Sequence, residues 1–174
     1  MARDYVKVLK GLNSNFQVIG RGEKSAIEFE KETGIKPLTG GIENYFKTET
    51  FHKNSLVIIT TGTQDLLKTM LSVLKEGAEK VLVEKPAAIS IEELTEHEKS
   101  LKPYMEKVFV AYNRRFFASV IESQHLIELD GGLQSMHFEF TEWSHIIEPL
   151  EKAPGVKENW FFANSTHVVD LAFL

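Results

Sequence analysis

The sequence contains no cysteine. Disulfide cross-links and thiolate chemistry are thereby excluded, and the reducing cytoplasm is the expected location. A basic cluster or stripe is also missing: 20 Lys and Arg are outnumbered by 25 Asp and Glu, for a formal net charge of −5. Nucleic acid and anionic membrane surfaces are therefore not expected partners. No apolar run approaches the length of a membrane span, and the N-terminus lacks the apolar core of a signal peptide. The histidines show no metal-ligand spacing, so no metal site is expected. Internal repeats and low-complexity tracts are absent too. What remains, 43% hydrophobic and 26% charged residues in a chain of 174, is the balance of a soluble globular protein with a real core.

Short runs of branched apolar residues dominate the pattern. Leu56-Val57-Ile58-Ile59-Thr60, Val81-Leu82-Val83 and Val108-Phe109-Val110-Ala111-Tyr112 read as parallel strands covered on both faces. Residues 16–19 read as a further strand, and 38–41 as a minimal one. Helical spacing predicts helices over 2–10 (with Gly11 as the residue after the C-cap), 23–33 closed by Gly34, 42–48, and 64–76 ending at Gly77. Ser90-Ile91-Glu92-Glu93 is a capping-box pattern that opens a helix to about residue 102. This alternation of strand and helix with short connections predicts an α/β fold for residues 1–112, a Rossmann-like doubly wound parallel sheet. Beyond Tyr112 the style changes. A helix over 114–129, a turn at Asp130-Gly131-Gly132, a long strand over 134–143 and a helix capped by Asn164-Ser165-Thr166 suggest that 113–174 begins a second, α+β domain.

Chemistry is expected at the carboxyl ends of the strands, where open parallel sheets bind ligands. Val81-Leu82-Val83 stops abruptly at Glu84-Lys85-Pro86, because proline lacks the N–H that the ladder needs. Tyr112-Asn113-Arg114-Arg115-Phe116 follows the next strand and would face the same crevice. His167 and Asp170, three apart at the start of the last helix, share a face. A neutral imidazole suits proton transfer near neutral pH, and Asp170 would either fix its tautomer or cap the helix. The plainer readings are a solvated strand end, a solvated arginine pair and a structural histidine.

Together VLVEKP (81–86), AYNRRF (111–116), the strand-turn IITTG (58–62) and the His-x-x-Asp of HVVD (167–170) resemble the Gfo/Idh/MocA oxidoreductases, the family of glucose–fructose oxidoreductase and inositol dehydrogenase. The resemblance implies an N-terminal Rossmann domain that binds NAD or NADP, followed by a domain that covers the substrate. It implies that Lys85 polarises the substrate oxygen and that His167 transfers the proton. Ala2, Gly20, Arg21, Thr60, Thr61, Glu84, Lys85 and Tyr112 would lie along the cofactor. Asn113, Arg115, Asn164 and Asp170 would lie with Lys85 and His167 near the substrate. The implied reaction passes a hydride between NAD(P) and a sugar or sugar-like polyol, an activated sugar among the candidates, in a homo-oligomer of the complete protein. The alternative is a non-catalytic sugar- or dinucleotide-sensing regulator, or an inactive fragment.

The sequence departs from that family in three places. The dinucleotide fingerprint G-x-G-x-x-G/A is missing, and Ala2 falls where its third small residue would. Ala163 stands where many members carry an aspartate, and the chain stops at Leu174 with a substrate domain barely begun. The expectation is a fragment cut at both ends, with its first strand and phosphate-facing glycines upstream of Met1. Such a chain should bind dinucleotides weakly or not at all, expose apolar edges and self-associate. At the end of the second strand stands Gly20 rather than a carboxylate, with Arg21 beside it, so NADP is expected over NAD.

Overall fold

The computed structural model describes residues 1–52 and 54–174. Its centre is a three-stranded parallel sheet in the order β1-β2-β3, built from β1 (Leu56–Ile59), β2 (Lys80–Val83) and β3 (Val108–Val110). The register runs Ile59 to Val83 and Val83 to Val110, so the three strands end level with one another. Thr60, Glu84 and Ala111 are therefore the first residues past a common edge. Glu84 N–H still donates to Ile59 O (2.9 Å), as Ala111 N–H does to Val83 O (2.9 Å). The architecture is Rossmann-type α/β, as the alternation of strand and helix predicts.

The strands form where they do because their branched side chains have a helix to bury against. Between β1 and β2 runs α4 (Leu66–Lys75), preceded by a tight turn at Thr63–Asp65. Its Leu66, Leu67, Met70, Leu71, Val73 and Leu74 are all buried and form the main cluster with Ile59, Val81 and Val83. Burial of one such side chain is worth about 1.5–3 kcal/mol relative to exposure. Glu76 caps the helix, and Gly77, at φ 89°, supplies the left-handed residue that turns the chain into β2.

Ahead of the sheet lie α1 (Ala2–Gly11), α2 (Glu23–Thr33) and α3 (Gly41–Tyr45). Gly11 is helical, not the left-handed residue; Asn13, at φ 52°, takes that role. The run 16–19 forms no strand. It is held to Leu38 by one parallel bridge at Ile19, through Leu38 N–H to Val18 O (2.8 Å) and Gly20 N–H to Leu38 O (2.7 Å). Among the described residues no strand lies between this run and β1, so its other edge has no ladder to join.

After β2 come α5 (Ile91–Glu96), α6 (Glu98–Leu101) and a 3-10 segment, Lys102–Lys107, in place of one continuous helix. Ser90 caps α5 by accepting from Glu93 N–H (3.2 Å), but Glu93 reaches past Ser90 to Ile89 N–H (2.7 Å). Beyond β3, a 3-10 turn at Asn113–Phe116 leads to α7 (Ala118–Leu129). The alternating stretch 134–143 is not a strand: among the described residues nothing pairs with it, and a strand without a partner leaves its ladder groups open. A short α8 (Ser144–Ile147) follows. The last helical stretch starts earlier than the cap residues suggest, with a wide π-type turn at Phe161–Ser165, then α9 (Thr166–Val169) and a 3-10 turn at Asp170–Phe173. Asn164, Ser165 and Thr166 lie inside it and cap nothing. Among the described residues no helix is long and apolar enough to cross a membrane.

Candidate functional site

The level strand ends gather the candidate residues. Glu84 leaves β2 buried at 7% exposure, and its Oε1 accepts from the Tyr5 hydroxyl of α1 at 2.9 Å. Burial, then the bond to Glu84 and its charge, drive the Tyr5 phenol well above its ordinary value. That contact anchors the N-terminal turn of α1, with half-buried Ala2, beside the end of β2. Tyr5 reads in the sequence only as an apolar helix position, but a half-buried phenol needs a partner for its hydroxyl.

Lys85, next in line, turns toward the C-terminal segment. Its Nζ donates to the backbone oxygens of Ala163 (3.2 Å) and Asn164 (3.4 Å). Residues 78 and 79 positions apart are thus joined at one point. Burial pulls the Lys85 ammonium below the usual lysine value; Glu84 opposes that shift and Arg114 adds to it.

His167 comes to the same crevice from α9. Its ring meets that of Tyr112 edge-on at 6.0 Å, and its Nδ1 is buried with no hydrogen-bond partner. Burial, followed by the charges of Lys85 and Arg114, depresses the imidazole below an ordinary histidine. His167 is therefore neutral at pH 7 and able to accept a proton.

Asp170 neither fixes the His167 tautomer nor caps the helix. It is taken by Arg115, whose Nε donates to Oδ2 at 2.7 Å and whose second guanidinium nitrogen donates to Oδ1. The bidentate geometry that a planar guanidinium offers a carboxylate outcompetes an imidazole for it. Arg115 also lies over the Tyr112 ring, 5.7 Å from its centroid. Asn113 is exposed at the start of this turn. Asn164 donates from its amide to Glu142 Oε1 (3.2 Å), the same oxygen that accepts from the buried Ser165 hydroxyl (2.9 Å). Nothing in the alternating pattern around Glu142 signals that convergence.

Thr60 and Thr61 follow β1 at the common edge, Thr60 half-buried and Thr61 exposed. Gly20 O accepts from Gly41 N–H (2.9 Å), and Arg21 lies between two carboxylates, Glu43 at 3.9 Å and Asp65 at 3.6 Å. Arg21 is thus partly neutralised by residues brought from α3 and the turn before α4, not by neighbouring Glu23. The edge so formed fits a dinucleotide in part. Its strand ends carry polar groups for a ribose and a reacting ring, but the glycine turn that cradles a pyrophosphate is not among these residues.

Neither a protein-family profile nor a curated protein matches the chain by sequence. Solved structures do match its fold. Scyllo-inositol dehydrogenase from Lactobacillus casei, with bound NAD(H) and scyllo-inositol, superposes with a TM-score of 0.54 at 19% identity, covering 68% of this chain and 34% of that one. Myo-inositol 2-dehydrogenase from Lactobacillus plantarum gives 0.56 at 15% identity, over 68% and 34%. The WlbA dehydrogenase from Bordetella pertussis, in complex with NADH and UDP-GlcNAcA, gives 0.58 at 16% identity, over 74% and 39%. The chain therefore spans little more than a third of the length of these structures.

Proposed function

We propose that this chain is the core of an NAD(P)-dependent oxidoreductase of the Gfo/Idh/MocA type, acting on a sugar or sugar-like polyol. The observation that carries the reading is the convergence of Lys85, from the end of β2, with the segment that bears His167. In this reading 1–112 is the dinucleotide-binding domain, 113–174 begins the substrate domain, and the complete protein is a cytoplasmic homo-oligomer. A bound nicotinamide would take or return the hydride. The chain's own residues manage the hydroxyl: neutral His167 accepts its proton as the carbonyl forms, and the Lys85 ammonium stabilises the oxygen as it gains charge. Glu84, held by Tyr5, keeps an anion beside Lys85 and favours its charged form. The Arg115–Asp170 pair holds the Arg115 guanidinium over the Tyr112 ring. Solved dehydrogenases of the same fold, crystallised with nicotinamide cofactors and sugar or polyol ligands, lend the reading further support.

We assign a preference for NADP over NAD to Arg21. Its two ion pairs are long and its side chain is 59% exposed, so it remains free to turn toward a 2′-phosphate.

One observation favours a second reading. The Lys85 ammonium already spends hydrogen bonds on two backbone carbonyls, as it would in a non-catalytic binding protein or an inactive fragment. NAD(P)-linked oxidation of myo-inositol and D-glucose by the complete protein separates the two. Lys85→Ala and His167→Asn should each lower kcat by about 100-fold or more, the cost of losing one preorganised donor or proton acceptor. Polyol binding with no turnover, unchanged by either substitution, would establish the regulator instead.

A further inference from the structure

Among the described residues Lys85 makes no ion pair; main chain holds it. Its Nζ donates to the backbone oxygens of Ala163 (3.2 Å) and Asn164 (3.4 Å), both in the wide π-type turn Phe161–Ser165. Such turns are rare, and they recur at functional sites. Whatever sets the direction of those two carbonyls also sets the lysine. On its other side the turn is gripped by a single residue. Glu142 Oε1 accepts from the Asn164 side-chain amide (3.2 Å) and from the Ser165 hydroxyl (2.9 Å). Ser165 is 1% exposed, and among the described residues Glu142 is the only partner of its hydroxyl. A buried hydroxyl stripped of its acceptor is costly, so the contact holds although Glu142 itself lies at the surface. Asn164 touches both charges, its backbone oxygen facing Lys85 and its side chain facing Glu142.

We propose that Glu142 is a positioning residue for Lys85, gripping Asn164 and Ser165 so that the carbonyls of Ala163 and Asn164 hold the ammonium in place; this rests on the oxidoreductase reading given above. An ammonium has three donors, so one remains for the substrate oxygen. Its placement matters, because a displacement of about 1 Å can cost on the order of 100-fold in rate. Glu142 also acts by charge. Burial pulls the Lys85 ammonium below its ordinary value, Glu84 and Glu142 oppose that pull, and Arg114 and Lys152 add to it. These groups reach the lysine from different elements. Glu84, with Tyr5 behind it, comes from the end of β2, Arg114 from the turn after β3, and His167 from α9. Glu142 and Lys152 come from the stretches that flank α8, and Asp170 is taken by Arg115. Each of the two anions is itself bound by a hydroxyl, Glu84 by that of Tyr5 and Glu142 by that of Ser165.

The hold on Lys85 can be read without turnover. The exchange rate of its ammonium protons with water, followed in the full chain by 15N-correlated NMR and assigned by its loss in Lys85→Arg, should be slower than that of exposed lysines. Glu142→Ala should raise that rate. Glu142→Gln, which keeps an oxygen for Asn164 and Ser165 and loses only the charge, should restore most of it. A merely structural Glu142 would move the urea midpoint and leave the exchange rate as it was. In the complete protein Glu142→Ala should lower kcat about 10-fold with KM nearly unchanged, and Glu142→Gln should recover most of the loss. Should Glu142→Ala fail to fold, Ser165→Ala, which keeps the carboxylate and removes its buried donor, decides by the same exchange rate. An unchanged rate, or equal effects of Glu142→Ala and Glu142→Gln, would overturn the hold through the turn. If exchange responds while Lys85→Ala changes no turnover, the grip on Lys85 stands and the oxidoreductase reading falls. If Lys85→Ala abolishes turnover while the Glu142 variants alter neither exchange nor kcat, the reading stands and Glu142 has no part in it.

Discussion

Arg115 grips Asp170 through two parallel hydrogen bonds, and His167, one turn back on the same helical segment, is left with a buried Nδ1 and no acceptor. The pair is asymmetric in exposure: the Asp170 side chain is 10% exposed and that of Arg115 45%. Asp170 is thus held by Arg115, while the histidine feels mainly burial and the cations Lys85 and Arg114.

Releasing the aspartate should therefore change the histidine. In Arg115→Gln the Asp170 carboxylate has no fork to bind and is free to approach the imidazole. The His167 titration, followed by NMR of its ring protons, should move to higher pH than in the native chain. An unshifted titration would mean that Asp170 stays turned away even without its partner.

The native His167 should itself titrate below the ordinary histidine value, given the direction of its shift. The folded state then holds fewer protons on this ring than the unfolded chain between the depressed pKa and about 6.5. Stability from this group is present above about pH 6.5 and lost as pH falls through the folded value. Comparison of urea midpoints for native protein and His167→Asn between pH 5 and 8 isolates it: the native protein should lose more stability on acidification. In the enzymatic reading, kcat/KM should fall in the same acidic window.

Tyr5→Phe removes the hydroxyl that Glu84 accepts from and leaves a buried carboxylate short of a donor. A hydrogen bond to a charged group contributes about 1.5–3 kcal/mol, so denaturant unfolding should register a loss of that order. The native phenol, with its raised pKa, contributes stability that is present below about pH 10 and lost as pH rises toward the folded value. Tyr5→Phe should abolish that alkaline loss.

For the cofactor, Arg21→Ala should reduce the proposed preference for NADP over NAD, while Glu43→Gln and Asp65→Asn together should increase it by freeing the guanidinium. The ratio of kcat/KM for the two cofactors is the measurement. An identical ratio in all three proteins would remove Arg21 from cofactor selection.

Self-association should also be measurable. Ile121, Leu126 and Leu129 of α7 are more than half exposed, at 53%, 55% and 71%. Sedimentation velocity should show association that grows with concentration, and Leu126→Lys should reduce it by placing a charge on that surface. A monodisperse monomer at high concentration would contradict the expectation.

The sequence by itself determined the parallel sheet and the location of its working edge. Runs such as Val81-Leu82-Val83 are apolar on both faces, a local property that leaves few other structures open, and Pro86 ends the ladder wherever the chain goes next. It likewise determined α2, whose periodic face and closing Gly34 are local signals. Only the tertiary structure decided what depended on partners. Residues 16–19 and 134–143 have strand composition, but a strand exists through its neighbour, and among the described residues neither run has a full one. Asp170 carried equal local reasons to serve His167 or a helix end, and a bidentate arginine from 55 residues away took it. Glu142 gave no local sign of being held by Ser165 and Asn164, because that contact is made across 23 and 22 residues of intervening chain. Pattern along a chain reports which surfaces must be buried; the choice among competing polar partners is made by geometry in space.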